Sequence, residues 1–344
     1  MTGQEAGGRR QEGATLVVQT AFLGDVILAT GLLSALAERY GPVDVVTTPA
    51  AAPLLETHPA VKAVVPYDKH GTDRGIDGFF RLVRALKRRG YARAFLPHRS
   101  LRSAMLARLA GIPERIGFTG GPGSWSYTRR IPLPLEGHDA ERQLALATDG
   151  RRGEQADGQT ARVSLGITGE DREVAGRWLR ERGIPDGFVA VAPGSIWGTK
   201  RWPGYAELTT RIEGPIVVIG GPGDAALAER VAEAAPGRAH SAAGELSLRA
   251  TGALLERARV LVTNDSAPLH LAGAVGTPVV ALFGPTVPSF GFGPRGSGDR
   301  VIQRDGLACR PCSRHGPQVC PLGHHRCMNE IAVEQVVEAV SGEQ

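Results

Sequence analysis

Short apolar runs separated by polar, glycine-rich turns recur along the chain and predict strands that alternate with helices. The runs lie at residues 15–19, 43–47, 61–65, 92–96, 188–192, 216–219, 260–264 and 279–283. Stretches with helical periodicity or many small residues, such as 79–89 and 267–274, separate them. Such alternation indicates parallel sheets covered by helices on both faces. We therefore predict an α/β protein with two doubly wound domains that face each other across a cleft.

The length of 344 residues suits two domains, each with its own core. The most linker-like stretch is GRRGEQADGQ, residues 150–159, so we place the boundary between residues 158 and 159. The domains then cover residues 15–158 and 159–344, and residues 1–14 form a flexible tail that lacks the apolar core of a signal peptide. Without a long apolar run we expect a cytoplasmic protein, with any membrane contact peripheral.

Gly24 and Asp25 lie between the first predicted strand and the first predicted helix. This position is the carboxyl edge of a parallel sheet, where open α/β folds bind ligands. Asp25 is therefore a candidate catalytic residue. The alternative is that Asp25 serves only as a favourable charge at a helix N-terminus.

Two segments of the second half are candidates for binding a phosphorylated ligand. The turn at Asp265 and Ser266 leads from a strand into a helix, whose first N–H groups and dipole favour an anion. In the other segment, Ser195 and Thr199 offer hydroxyl donors and Lys200 a compact charge for a phosphate. The alternatives are a turn that only caps its helix and an exposed loop lysine.

Two aspartates separated by one residue occur nowhere in the chain, and such a pair would be the usual holder of a divalent metal on a diphosphate. We therefore expect catalysis without a divalent metal, with Lys200 and helix N-termini neutralising a departing phosphate. The four cysteines have the spacing C-x2-C-x7-C-x6-C, which suits a closed, structural zinc or iron site. They are Cys309, Cys312, Cys320 and Cys327. Buried cysteines without a metal are the alternative.

Positive charge is concentrated in the first half. The net charge is +5, but residues 81–108 contain nine Lys or Arg residues and no Asp or Glu. This run predicts a local positive field that attracts an anion, or else a solvated basic face. Nucleic acid is not the expected partner, because the cysteine segment has three arginines and no interleaved aromatic residues.

Four segments together resemble the lipopolysaccharide heptosyltransferases, glycosyltransferase family 9, and within it the heptosyltransferase II group. They read FLGDVILATGLLSAL, PGSIWGTKRWP, TNDSAPLHLAGAVGTPVVALFGPT and CRPC followed by CPLGHHRCM. The resemblance implies a GT-B fold whose first domain binds the acceptor and whose second binds ADP-L-glycero-β-D-manno-heptose. It also implies an acceptor in the lipid A–Kdo inner core, and therefore peripheral association with the cytoplasmic face of the inner membrane.

The resemblance also implies roles for individual residues. Asp25 would be the catalytic base, Lys200 would contact the donor phosphates, and Asp224 would lie near the adenosine. The turn that holds the diphosphate and sugar would comprise Asp265, Ser266, Ala267, Pro268, Leu269 and His270. With an anionic acceptor, the basic run supplies its binding residues, for which we select Arg84, Arg88, Arg99 and Arg102. Iron-containing relatives keep iron open beside zinc.

Two other functions remain open at this stage. One is a GT-B enzyme that uses another nucleotide sugar or another acceptor, including a protein. The other is a non-catalytic binding protein clamped by a metal at the cysteine loop, residues 309–327. Inhibition by ADP rather than UDP would favour the heptosyltransferase, and loss of activity in Asp25→Asn without loss of stability would exclude the non-catalytic protein.

Overall fold

A computed structural model describes residues 13–150 and 162–342. The chain divides into two compact units, Met1–Leu135 with Ala140–Arg162 and Glu136–Asp139 with Val163–Gln344. The predicted tail up to residue 12 lies outside the described residues, and so does the predicted boundary between residues 158 and 159. Residues 136–139 belong to the second unit, where the Asp139 N–H donates to the Gly291 carbonyl at 2.8 Å.

The first unit is a six-stranded parallel sheet with the order β3-β2-β1-β4-β5-β6. Its strands are β1 Thr15–Val18, β2 Val43–Thr47, β3 Val61–Pro66, β4 Arg93–Leu96, β5 Glu114–Phe118 and β6 Arg129–Ile131. Its helices are α1 Leu23–Tyr40, α2 Ala52–Leu55, α3 Gly75–Arg89, α4 Leu101–Leu109 and α5 Asp139–Leu144. The order reverses between β1 and β4, which makes their carboxyl ends the place where a ligand is expected.

The second unit repeats this topology with the order β12-β11-β10-β7-β8-β9. Its strands are β7 Val189–Ala192, β8 Ile216–Val218, β9 Ala239–Ser241, β10 Val260–Asn264, β11 Val279–Phe283 and β12 Arg300–Gln303. Its helices are α6 Gly169–Glu181, α7 Tyr205–Arg211, α8 Ala225–Glu233, α9 Leu248–Leu255, α10 Ala267–Val275, α11 Arg326–Asn329 and α12 Val333–Ser341. Here the order reverses between β7 and β10.

Alternation along each strand supplies both faces of the sheet. In β1, Leu16 and Val18 pack with Leu86 of α3, whereas Val17 packs with Leu33 of α1 on the other face. Because successive side chains point to opposite faces, a strand covered on both sides must be apolar throughout. The uninterrupted apolar runs in the sequence have this cause, and the doubly wound prediction is confirmed for each unit.

The eight predicted strands are all present, within one residue at either end, but four strands were not predicted. These are β5, β6, β9 and β12, of which β6, β9 and β12 lie at sheet edges. Edge strands are covered less completely and tolerate polar residues, so Arg-Arg-Ile and Ala-His-Ser give no apolar run. The sheets are therefore wider than the sequence pattern indicates.

The longest described helix, α1, has 18 residues, with Asp25 in its first turn and Arg39 in its last. Within the described residues, no helix combines the length and apolar character needed to cross a bilayer. The helix that opens the second unit begins with the predicted capping box, in which Thr168 and Asp171 each bind the other's backbone N–H.

Candidate functional site

The loops that follow β7 and β10 lie side by side at the carboxyl edge of the second sheet. The two strands are paired in parallel with Thr263 opposite Ala192, so each chain leaves the sheet at the same level. The first loop carries Ser195, Thr199 and Lys200, and the second carries Asp265 and Ser266. The topology thus brings together the two segments that the sequence proposed separately as anion sites.

Lys200 and Asp265 form a buried ion pair at this edge. The Nζ of Lys200 donates to Oδ2 of Asp265 at 2.6 Å and to its backbone carbonyl at 3.1 Å. The two side chains are only 10% and 9% exposed. The hydroxyl of Thr286, after β11, donates to the same carboxylate oxygen at 2.6 Å. The alternative of an exposed loop lysine is therefore wrong, and Lys200 has a carboxylate partner that the sequence pattern did not reveal.

Asn264 ties the two loops together, and sequence reasoning missed it. Its Nδ2 donates to the carbonyls of Pro193 and Gly194, at 3.0 and 3.3 Å. Its Oδ1 accepts from the Trp202 N–H at 3.2 Å and from the Tyr205 hydroxyl at 3.0 Å. A fully buried amide with all these partners fixes the spacing of the loops. An asparagine at the end of an otherwise apolar strand was the available signal.

The helix α10 begins where predicted, but the expected cap is different. Ser266 occupies the N-cap position, yet its hydroxyl makes no cap bond and donates to the Gly194 and Asn264 carbonyls, both at 3.4 Å. The prediction that Ser266 caps the helix is therefore wrong, because its hydroxyl is drawn to the neighbouring loop. Ala267 and Pro268 form the first turn, partly exposed, so the Ser266 hydroxyl does not occupy the N–H groups there.

The next two residues of this helix are buried. Leu269 is part of the core, and the His270 ring contacts Phe292 edge-on, with ring centroids 6.2 Å apart. Burial lowers the pKa of His270 to about 4, and the positive charges of His138 and Lys200 act in the same direction against Asp265. His270 is therefore neutral at pH 7 and adds an uncharged polar group beside the ion pair.

Asp224 also reaches this edge, from the turn after β8. Its Oδ2 accepts the Gly221 N–H at 3.1 Å, and a Cβ added to Gly194 would lie 2.4 Å from its Oδ1. Ser195 is buried and accepts the Trp197 N–H at 3.3 Å. Thr199 instead donates its hydroxyl to the Pro317 carbonyl at 2.5 Å, so that hydroxyl is committed to the cysteine loop.

In the first unit, Gly24 and Asp25 lie in the first turn of α1, after β1. Oδ2 of the half-buried Asp25 accepts the Phe22 N–H at 3.2 Å, so the alternative function at the helix N-terminus is real. The backbone of this turn is held by the buried Gln143, whose Nε2 donates to the Asp25 carbonyl at 3.4 Å. The catalytic function of Asp25 remains a prediction.

A second group of polar residues follows β3 and β4 at the same edge of the first sheet. Lys69 donates to the Thr20 carbonyl at 2.8 Å, and Arg102 donates to the Tyr67 hydroxyl at 2.8 Å. Burial lowers the pKa of His98 to about 4, with Lys69 and Arg99 acting in the same direction. Among the described residues, Nδ1 of His98 is buried without a hydrogen-bond partner. The sequence did not identify Lys69 or His98.

Arg84 and Arg88 do not join this group. Both are exposed on α3, in the half of the helix that runs away from the carboxyl edge. The next residue, Arg89, pairs with Asp44 near the start of β2 at 3.2 Å, which places this end of α3 at the opposite edge of the sheet. Of the four predicted acceptor residues, the structure brings only Arg99 and Arg102 to the edge that carries Asp25.

The four cysteines lie near one another in the second unit, and none forms a disulfide. Burial raises the pKa of Cys327 to about 11, and the other three thiols raise it further. For Cys320 burial also opposes ionisation, but N–H groups of residues 322–325 outweigh it and lower the pKa. The donor chemistry thus suits a metal, although within the described residues no three Cys, His, Asp or Glu side chains are placed to hold one.

The sequence profile of "Glycosyltransferase family 9 (heptosyltransferase)" matches residues 79–320. The chain is 29% identical over 293 residues to lipopolysaccharide heptosyltransferase 2 of Escherichia coli K12, covering 80% of this chain and 84% of that one. A solved structure of ADP-heptose LPS heptosyltransferase II from E. coli matches with a TM-score of 0.75 at 25% identity, over 96% of this chain and 98% of that one.

The structure of a glycosyltransferase family 9 protein from Veillonella parvula has the same fold, with a TM-score of 0.83 at 24% identity over 96% of each chain. These matches agree with the two parallel six-stranded sheets described above, and the predicted GT-B fold is confirmed. The family profile covers more than two thirds of the sequence, including the loops that carry Lys200 and Asp265. The chain is therefore a glycosyltransferase and belongs to glycosyltransferase family 9, the heptosyltransferases.

Proposed function

We propose that the protein transfers a heptose from ADP-L-glycero-β-D-manno-heptose to the inner core of lipopolysaccharide, on a Kdo or a heptose. The observation that carries this proposal is the buried Lys200 beside the first turn of α10, in a chain of the heptosyltransferase family. A lysine and a helix N-terminus at a topological switch point are suited to a diphosphate. The names of the similar proteins support ADP-heptose and lipopolysaccharide as the two substrates.

The donor side of the reaction is assigned to the second unit. Lys200 and the first turn of α10 would hold the diphosphate, with Ser195 and Asp224 beside it. Negative charge grows on the diphosphate as the anomeric C–O bond breaks, so fixed positive groups there lower the barrier. Because Asp265 holds Lys200, the ammonium is kept in place before the donor arrives, and no divalent metal is needed in this scheme.

The chemical step would be a single inverting displacement. Asp25 would accept the proton of an acceptor hydroxyl while that oxygen forms a bond to the anomeric carbon, and ADP would leave from the opposite face. A carboxylate near its ordinary pKa is ionised at pH 7 and can serve as this base. Its bond with the Phe22 N–H fixes its orientation, since it sits in the first turn of a buried helix.

The proposed acceptor is anionic, and Lys69, His98 and Arg99 are its expected binding groups. They lie at the same sheet edge as Asp25, and the buried Nδ1 of His98 can pair with a hydroxyl of the acceptor. We expect Arg99→Gln with Lys69→Met to raise the acceptor KM about tenfold, as loss of one charge-assisted contact does. The donor KM should not change. The matched control is Arg84→Gln with Arg88→Gln; if it has the same effect, acceptor binding extends along α3.

The proposed place of action is the cytoplasmic face of the inner membrane, where a lipid-anchored acceptor is presented. The exposed Arg84 and Arg88 fit an anionic lipid surface. We expect the protein to co-sediment with vesicles containing phosphatidylglycerol and not with pure phosphatidylcholine vesicles. Binding that is equal for both, or absent from both, would contradict peripheral association through charge.

The proposed metal is a structural zinc or iron held by Cys309, Cys312, Cys320 and Cys327. It would supply no chemistry to the transfer and would only close the cysteine loop. Elemental analysis of the purified protein should find about one ion per chain, and Cys312→Ser should lose it. Full activity in a protein that contains neither metal would remove this part of the proposal.

The deciding experiment is the transfer itself. The purified protein is incubated with ADP-heptose and either Kdo₂-lipid A or heptosyl-Kdo₂-lipid A, and the acceptor mass is measured. A gain of one heptose is expected, and Asp25→Asn should abolish it while keeping the stability of α1, since an asparagine oxygen can still accept the Phe22 N–H. No transfer to either acceptor would refute the proposed acceptor, and no ADP binding would refute the donor.

A further inference from the structure

The cysteine loop, residues 309–327, is bound directly to the segment that precedes Lys200. The N–H of Thr199 donates to the Pro317 carbonyl at 3.3 Å, and the N–H of Gly198 donates to Oε1 of Gln318 at 3.1 Å. Nε2 of Gln318 donates back to the Ile196 carbonyl at 3.0 Å. Gln318 therefore reads the backbone of residues 196–198 with both ends of its amide, as a strand partner would.

His325 completes this contact from the other end of the loop. Its Nε2 lies 2.8 Å from the Thr199 carbonyl, and because a carbonyl can only accept, the ring must carry its proton on Nε2 and donate. The backbone of His325 has φ +46°, in the left-handed region that a side-chain-bearing residue adopts at a cost. Such a conformation is kept where the surrounding contacts require it.

The packing here leaves no space for an alternative arrangement. A Cβ added to Gly198 would lie 2.4 Å from the Gln318 carbonyl oxygen, and one added to Gly316 would lie 2.9 Å from Pro285 and 3.1 Å from Oγ1 of Thr199. Gly316 also has φ +80°. Two glycines thus allow the backbones of the two segments to touch. The Trp197 and His315 rings stack beside them at 6.1 Å.

We infer that Gln318 and His325 are positioning residues that set the place of the Lys200 ammonium. Lys200 follows Thr199 in a single 3₁₀ turn, Gly198–Lys200, so the carbonyl held by His325 is one peptide from the Cα of Lys200. A shift of this turn moves the ammonium relative to α10. The inference rests on the proposed function of Lys200 toward the donor diphosphate, and it gives the cysteine loop a part in donor binding whether or not a metal is bound.

Four single variants of the full chain test the inference. His325→Gly removes the ring and suits the left-handed backbone, so loss of one hydrogen bond is offset by relief at that residue and the protein should stay folded. Gln318→Ala removes the amide. His325→Gln should restore part of the effect, because its amide can donate where Nε2 did. Val319→Ala is the matched control, since Val319 is 78% exposed in the same loop.

The first measurement is hydrogen exchange of residues 196–201 by mass spectrometry, without any ligand. We expect exchange about tenfold faster in His325→Gly and Gln318→Ala, the change given by loss of about 1.4 kcal/mol of local protection. Val319→Ala should match the wild type. Equal exchange in all variants would overturn the inference, and this outcome does not depend on the donor being ADP-heptose.

The second measurement is ADP binding by calorimetry, with Lys200→Met as the reference. The inference expects a loss of about tenfold in ADP affinity in His325→Gly and Gln318→Ala, and a partial return in His325→Gln. The acceptor KM should stay constant. If Lys200→Met weakens ADP and the loop variants do not, the inference is overturned. If Lys200→Met itself has no effect, the proposed function of Lys200 fails, and the exchange result alone decides whether the loop positions it.

Discussion

The ion pair between Lys200 and Asp265 should be the most sensitive electrostatic contact of the second unit. Both side chains are about nine-tenths buried, and the joining distance is 2.6 Å. Asp265→Asn keeps the shape of the side chain, so no cavity forms, but it leaves the ammonium of Lys200 buried without its counter-charge. Breaking one side of a buried pair costs about 3–5 kcal/mol. We expect that loss in the free energy of unfolding.

The double variant separates the loss of the pair from the cost of an unpaired charge. Lys200→Met with Asp265→Asn removes both charges, so no ion stays buried alone, and the hydroxyl of Thr286 can still donate to the amide oxygen. It should therefore be less destabilising than the sum of the single variants by at least about 2 kcal/mol. Glu207→Gln is the control. Glu207 pairs with Arg211 at 3.0 Å with both side chains about half exposed, and such pairs are worth less than about 1 kcal/mol.

Urea unfolding followed by tryptophan fluorescence suits this test. Three of the four tryptophans, Trp178, Trp197 and Trp202, belong to the second unit, so the signal reports mainly on the part of the chain that holds the pair. The slope with urea should be unchanged while the midpoint falls. An Asp265→Asn variant within about 1 kcal/mol of the wild type, or a double variant as unstable as the sum, would refute the reasoning.

Three further predictions concern the same edge of the second sheet. Asn264→Ala should cost about 3 kcal/mol or more of unfolding free energy in the urea assay, because it leaves a buried hydroxyl and buried carbonyls without their partner; a loss under about 1 kcal/mol would contradict this. Gly194→Ala should weaken ADP binding with little effect on the thermal midpoint, since its Cβ would meet Asp224 2.4 Å away and displace that carboxylate; unchanged calorimetric affinity would argue against Asp224 as a donor residue. His270 has its pKa lowered to about 4 in the folded state, so the unfolded chain binds the extra proton first and stability falls as pH drops from about 6.5 to 4. The wild type should therefore lose about 3 kcal/mol more than His270→Gln over that interval, and parallel curves would refute the assignment.

The architecture could be predicted from sequence because buried parallel strands leave a simple pattern. A strand such as Val279–Phe283 is covered on both faces and can only be apolar, so its position was found to the residue. Edge strands lack that constraint, and β9 with its Ala-His-Ser sequence was missed for this reason. The sequence pattern therefore located the centre of each sheet better than its margins.

The candidate site was predicted in part. Lys200 and Asp265 were both selected from their local context, as residues that follow strands, but that they pair with each other depends on the adjacency of β7 and β10. Nothing in the 65 residues between them encodes that contact locally. Arg84 and Arg88 were selected because they are near Arg99 in sequence, and the direction of α3 carries them to the other edge of the sheet.

The short segment Glu136–Asp139 affects how the protein can be divided. The chain passes from one unit to the other at residues 135/136, 139/140 and 162/163, and the segment is bonded to the second unit through Gly291 and Gly293. A chimera of two relatives joined near residue 162 would therefore carry this segment from one parent and the rest of its unit from the other. His138, one of the groups that lower the pKa of His270, would come from the wrong parent. Recombination that keeps each unit whole must exchange residues 136–139 together with everything after 162.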